Sequence, residues 1–324
     1  MSGVFQLSNV RFPVALRLLA IAALTAAVTS LVEAQAVSVQ DRAQLLRPPT
    51  APTDPYSEEN GVEDGRAVES PNDPDIGEQE ILKRIQRYEP FTVTIATPFY
   101  YTSNVALAST AVASDVVFAP AVGITYSPRF TGTLFGSFTL QRQEFYYDKF
   151  GALDFGSTDF RAGLFYIMPK VHNLMLRAEY GYNRLTFSNS FNDFFTNHSL
   201  FLGAELPFRI GRAQQFSLGV DTNISLHAEP SAPRRHEFDV YAGYSVRLTR
   251  ALTLGAVGRI FVRDYNSISR TDVSEVLALT ANYRITKCFS AGAATTLAWS
   301  QSSRSVFDYE VANIGGALSL TFKF

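Results

Sequence analysis

The chain has 324 residues, a formal net charge of −2 and a single cysteine; 46% of its residues are hydrophobic, 18% charged and 13% aromatic. The near-neutral balance gives no electrostatic basis for nucleic-acid binding, and one cysteine excludes an internal disulfide framework and a multi-cysteine metal site. The length suffices for a large core or for one large closed barrel.

Arg11 and Arg17 precede an apolar stretch from Leu18 to Val32, and Ala34-Gln35-Ala36 follows as a small-x-small pattern. This order predicts a secretory signal peptide over residues 1–36, cleaved after Ala36, with Ala34 and Ala36 as the recognition positions. The apolar run is too short for a spanning helix, which needs about 20 residues.

Residues 37–75 are poor in aromatics and rich in Pro, Asp, Glu, Ser and Gly, as in Thr53-Asp54-Pro55 and Ser70-Pro71-Asn72-Asp73-Pro74. Such a stretch buries too little apolar surface to offset its ordering entropy, so a disordered polar arm is expected. Ile81, Leu82 and Ile85 then fall at helical spacing among Glu78, Glu80, Lys83, Arg84 and Arg87. They predict one short amphipathic helix within 76–89, acidic first and basic last. A helix this short is marginal alone. It is expected in the periplasm or across a barrel mouth, with a position inside a lumen as the alternative. Arm and helix together, residues 37–89, are where a periplasmic partner would bind.

From residue 90 to 324 the apolar period is two. Phe216, Leu218, Val220, Thr222, Ile224 and Leu226 alternate with Ser217, Gly219, Asp221, Asn223 and Ser225. Phe238 to Leu248, Leu174 to Tyr182, Leu277 to Ile285 and Ile314 to Phe324 repeat the pattern, each as a strand between two environments. Twelve such segments start near residues 91, 115, 130, 157, 174, 197, 214, 237, 251, 273, 289 and 309. Short turns such as Gly211-Arg212 and Thr249-Arg250 alternate with longer loops at about 102–114, 147–156, 188–196, 228–236, 264–272 and 301–308. That alternation and an even strand count predict an all-β fold: a transmembrane antiparallel up-and-down barrel. Twelve strands tilted about 45° give a backbone diameter on the order of 26 Å. Pro98 and Pro120 fall inside the first two segments and predict local irregularity at the barrel seam.

Aromatics gather at the segment ends. Tyr100, Tyr101, Tyr146, Tyr147, Tyr182, Trp299 and Tyr309 lie toward the loops, and Tyr126, Phe130, Phe208, Phe289 and Phe324 toward the turns, as expected of two interfacial girdles. By parity the inward face carries Asp159, Arg161, Arg177, Glu179, Glu205, Asp221, Glu237, Asp239, Arg259, Arg263 and Arg284, with Arg209, Arg247 and Lys323. These charges line either a polar channel or a salt-bridged, filled lumen. The small residues between them argue for free space inside. His227 has inward parity and, with Glu237 and Asp239, is the one candidate acid–base group at the outer rim; no complete catalytic set, phosphate loop or metal cluster is found, so no enzyme and no cofactor is expected. Cys288 falls at a turn.

With these residues in view, the chain resembles a Gram-negative outer-membrane β-barrel protein. The terminal Ala317-Leu318-Ser319-Leu320-Thr321-Phe322-Lys323-Phe324 is similar to the signal, ending in Phe322 and Phe324, that the barrel-assembly machinery reads in that class. Tyr101-Thr102-Ser103-Asn104-Val105 and Asp115-Val116-Val117-Phe118-Ala119-Pro120 also resemble segments of porins, some of them associated with exopolysaccharide export. The resemblance implies the bacterial outer membrane, contact with its lipids, and assembly by that machinery. An oligomer is compatible with the same periodicity. The reading favoured is a passive porin-like channel for ions or small hydrophilic solutes. The alternative is a structural or export-associated barrel with a filled lumen; an outer-leaflet enzyme and an autotransporter-like translocator stand behind both.

Overall fold

The computed structural model describes residues 39–47, 89–188, 190–210 and 213–324. The predicted signal peptide with Ala34 and Ala36, and the predicted helix within 76–89 up to residue 88, lie outside the described residues.

The strands run in chain order as β1 (Phe91–Thr102), β2 (Asp115–Phe118), β3 (Ala121–Tyr126), β4 (Leu134–Tyr147), β5 (Phe155–Met168), β6 (Leu174–Phe187), β7 (Asp193–Ile210), β8 (Gln214–Glu229), β9 (His236–Arg247), β10 (Leu252–Tyr265), β11 (Arg270–Arg284), β12 (Phe289–Ser302) and β13 (Tyr309–Lys323). Every neighbour is antiparallel, and β13 pairs with β1 from Lys323 opposite Thr92 to Asn313 opposite Thr102. The sheet therefore closes on itself and leaves no edge. Phe91 and Phe324 exchange both backbone hydrogen bonds at the seam, at 3.2 and 2.9 Å. β2 and β3 are one strand broken at Ala119-Pro120, where proline has no N–H for the ladder. Both pieces pair with β1 and β4, so the result is a closed twelve-strand barrel. Pro98 stays inside β1, and its carbonyl accepts from the Ala119 N–H at 2.9 Å.

Burial is inverted relative to a water-soluble protein. Val240 is 59% exposed and Ile314 58%, whereas Arg263 and Asp272 are each 1% exposed. An outward apolar wall and an inward polar one are what a strand between lipid and lumen requires. The chain is a β-barrel of the outer-membrane type. Among the described residues no helix is long and apolar enough to cross a membrane.

Three expectations change here. First, the loop-side aromatics divide by parity. Tyr101, Tyr146 and Trp299 face outward and are more than 40% exposed, but Tyr100, Tyr147 and Tyr309 point inward and are buried. Neighbours in sequence face opposite sides of a strand, so clustering at strand ends does not assign a face. Second, the inward glycines are not free space. Glu179 lies over Gly163, Asp221 over Gly203 and the Tyr241 ring over Gly219, each from the directly paired position on the next strand. Third, residues 39–47 of the expected disordered arm are ordered, and their place is the lumen.

The glycine packing makes a stability prediction. A side chain at Gly219 runs into the Tyr241 ring, whose hydroxyl donates to Glu205 at 3.0 Å. Gly219→Val should therefore destabilise the folded barrel by about 1–3 kcal/mol, read as a lower urea midpoint of unfolding. Gly258, where an added Cβ meets nothing within 4 Å, is the control: Gly258→Ala should leave the midpoint unchanged.

Candidate functional site: an occupied barrel lumen

Residues 39–45 form a short helix, and residues 46–47 continue from it. Val39, Asp41, Arg42, Ala43, Leu45 and Leu46 are all buried, the least so at 6% exposure. Their partners are the inward side chains of the loop-side half of the barrel. Val39, Ala43 and Leu46 join a cluster with Tyr100, Val117, Phe145, Tyr147, Phe155 and Phe195. Phe145 and Phe155 stack at 4.4 Å, and the Arg42 guanidinium lies 5.6 Å from the Tyr147 ring centre and 5.7 Å from that of Phe155. Leu45 occupies a second cluster with Phe261, Val276, Tyr309 and Val311. The loop 103–114 packs Val105 and Ala113 against the first cluster and Leu107 against the second. The segment is thus a plug, and the inward tyrosines are its seat.

Polar contacts fix its position. Asp41 accepts from Arg235 at 2.7 Å and lies 3.7 Å from Arg263. Glu237 completes the group, 2.6 Å from Arg235 and 3.4 Å from Arg263. Arg263 also donates to Gln44 at 3.0 Å and to Ser274 at 2.6 Å. At the other end of the segment Arg47 pairs with Asp159 at 2.8 Å and donates to Gln143 at 2.7 Å. Gln143 in turn donates to the Ala119 carbonyl at 3.3 Å, so the plug reaches the break between β2 and β3.

Buried charges persist only when paired and hydrogen-bonded. Burial alone pulls the Asp41 carboxyl upward, but the guanidinium groups of Arg235 and Arg263 outweigh it and hold the group below the ordinary carboxylate range. Arg235 is held well above its usual value: burial opposes its charge, and Asp41 and Glu237 more than compensate. The sign for pH follows. A carboxyl lowered in the docked state favours docking fully above its free value, about 3.9, and loses that contribution as pH falls through the docked value. The fraction of closed barrels should be flat from pH 8 to 5 and fall below about pH 4, measured as single-channel open probability. In Asp41→Asn this acid limb should shrink.

The sequence-predicted lumen charges are dispersed. Asp159 and Arg263 touch the plug, and Glu237 is tied to it through Arg235 and Arg263. Below it, Arg259 joins Asp239 at 3.0 Å and Asp221 at 3.8 Å while stacking on Tyr241 at 4.5 Å, and Glu205 accepts from Tyr241. Arg161 and Arg177 lie over the Phe201 and Phe165 rings at 5.6 and 5.7 Å. Glu179 is buried over Gly163. Arg284 donates to the Arg250 carbonyl at a short turn and sits at the rim rather than along the wall.

His227 does not reach Glu237 and Asp239. A register shift between His198 and Ser199 leaves Leu226 unpaired in β8, and beyond it the parity reverses. His227 therefore points outward, its ring 6.1 Å from that of His198, which also meets Tyr180 and Tyr182. The candidate acid–base group is not assembled. Residues absent from the sequence reading are Asp41, Arg42, Gln44, Arg47, Arg235, Arg270 and Asp272. Arg270 and Asp272 pair with each other where β11 extends beyond its predicted start, and Arg270 stacks on Phe307. Their alternation with Ser274 was the available signal.

No protein-family model matches the chain, and no curated protein matches it. Solved structures do. An outer membrane channel from Pseudomonas putida F1 aligns with 77% of this chain and 100% of its own, at 10% identity and a TM-score of 0.53. The shared object is the fold. The translocator domain of the autotransporter NalP from Neisseria meningitidis covers 74% of this chain and 90% of its own (12% identity, TM-score 0.44), and an anion-selective porin from Comamonas acidovorans covers 72% and 98% (8% identity, TM-score 0.37).

Proposed function

We propose that the protein is an outer-membrane channel for ions or small hydrophilic solutes, closed at rest by its own residues 39–47. The observation that carries this reading is the separation of wall from plug. The inner wall stays polar below the plug, through Arg161, Arg177, Glu205, Asp221 and Arg259. A wall that only had to pack a permanent filling would be apolar at lower cost, because each buried unpaired charge is expensive. Charged side chains along an aqueous path are the usual determinants of solute preference.

The second reading is a structural or export-associated barrel with a permanently filled lumen. It is favoured by the apolar part of the plug seat, where Val39, Ala43 and Leu46 are 0–6% exposed. Planar-bilayer recordings separate the two. The mature chain, residues 37–324, should be mostly silent, and the same chain lacking residues 37–47 should show discrete, reproducible steps. Silence in both, with heat-modifiable gel mobility proving that both are folded, contradicts the channel reading and supports the filled barrel.

A further inference from the structure

The plug presents two chemistries on one face. Asp41 and Leu45 are four residues apart on the helix, so their side chains are neighbours at about 6 Å. The Asp41 carboxylate lies against Arg235 and Arg263, and Leu45 fills the apolar cluster formed with Phe261, Val276, Tyr309 and Val311. Arg235 also donates to the buried Tyr265 hydroxyl at 3.0 Å, which fixes the fork that faces Asp41. Arg263 is 1% exposed, and its Nε, directed at Asp41 and Glu237, makes no hydrogen bond.

Without the plug this seat holds two guanidinium groups and one carboxylate, Glu237. One positive charge is then uncompensated, next to an apolar surface. That combination selects a monoanion with an apolar body. We infer that the plug seat is a binding site for small amphiphilic monocarboxylates, with the carboxylate at Arg235 and Arg263 and the apolar group in the place of Leu45. Such an acid competes with residues 39–47 for the seat and thereby opens the barrel. The inference rests on the channel reading for the opening, but not for the binding.

The test uses benzoate, with acetate as the carboxylate lacking an apolar body. Calorimetric titration of the full mature chain carrying Asp41→Ala and Leu45→Ala, which vacates both subsites, should show benzoate binding at least tenfold tighter than acetate. Adding Arg263→Gln or, as a second variant, Arg235→Gln should weaken benzoate at least tenfold. In the unaltered mature chain, benzoate at constant ionic strength should raise the open probability saturably, and chloride should not. No benzoate binding, or binding indifferent to both arginine variants, overturns the site. Equal affinity for acetate overturns the apolar half of it. Binding without any effect of benzoate on the conducting unaltered chain overturns the competition. Benzoate binding to a barrel that never conducts, even without its plug, leaves the site standing and contradicts the channel reading instead.

Discussion

Replacing Asp41 by alanine in the chain of residues 37–324 should raise the open-to-closed ratio of the proposed channel roughly 10²-fold. Asp41 is 3% exposed and is one of two carboxylates serving Arg235 and Arg263, themselves 8% and 1% exposed. Removing one member of a buried charge group costs about 3–5 kcal/mol, because the remaining charges stay desolvated without their partner. The lower end of that range applies here, since Glu237 remains and the arginines rehydrate once the plug has left. About 3 kcal/mol corresponds to two decades in an equilibrium constant. Asp41→Asn keeps the volume and an acceptor oxygen and should fall between the alanine variant and the unaltered chain. Replacing the neighbouring Gln40, whose Oε1 has no hydrogen-bond partner, should have much the smaller effect. Single-channel open probability reads all three.

The second large effect concerns selectivity once the plug is out. Arg259 is tied to Asp221 and Asp239, and Glu205 is tied to Tyr241, so these charges are locally answered. Arg161 and Arg177 lie over aromatic rings of the wall, within electrostatic reach of Asp221 and, for Arg161, of Asp159, and Arg161 is exposed to the lumen. In an Asp41→Ala background, Arg161→Glu with Arg177→Glu changes the lumen by four negative charges. At roughly 8 Å from a passing ion and in a water-like dielectric, each charge contributes about 0.5 kcal/mol before salt screening. The potassium-to-chloride permeability ratio should therefore rise at least tenfold in dilute salt and less at 1 M. An unchanged ratio would mean that ions do not pass these two side chains.

The barrel was legible because every strand lies between two contrasting environments, and a period of two records that contrast residue by residue. Eight of the strands from Phe91 to Tyr309 begin within one residue of the expected position; β7 starts earlier, at Asp193, and carries 18 residues. The break at Pro120 was legible from the missing proline N–H. The reversal at His227 was not, because a single unpaired residue leaves no mark in composition and shifts all that follows. The plug was the largest omission. A seven-residue helix has no stable existence alone, and the hydrogen bonds that tie this one to the barrel wall come from residues 96 to 268 positions away in the chain, from Gln143 to Asn313. Its segment reads as polar because its charged residues, Asp41, Arg42 and Arg47, meet partners that only closure of the barrel supplies. The inward glycines misled for a related reason: the side chain that fills each of them belongs to the next strand.

The central claim is that residues 39–47 sit inside the lumen in one defined pose and close it. The ion pair between Arg47 and Asp159, 2.8 Å apart and otherwise remote in sequence, tests that claim by charge exchange. Open probability should be recorded for Arg47→Asp, for Asp159→Arg and for the chain carrying both. Each single exchange places like charges together and should open the barrel, while the double exchange restores attraction and should close it again. Two single variants that open and a double variant at least as open as either would show that Arg47 does not meet Asp159, and would contradict the plugged lumen described here.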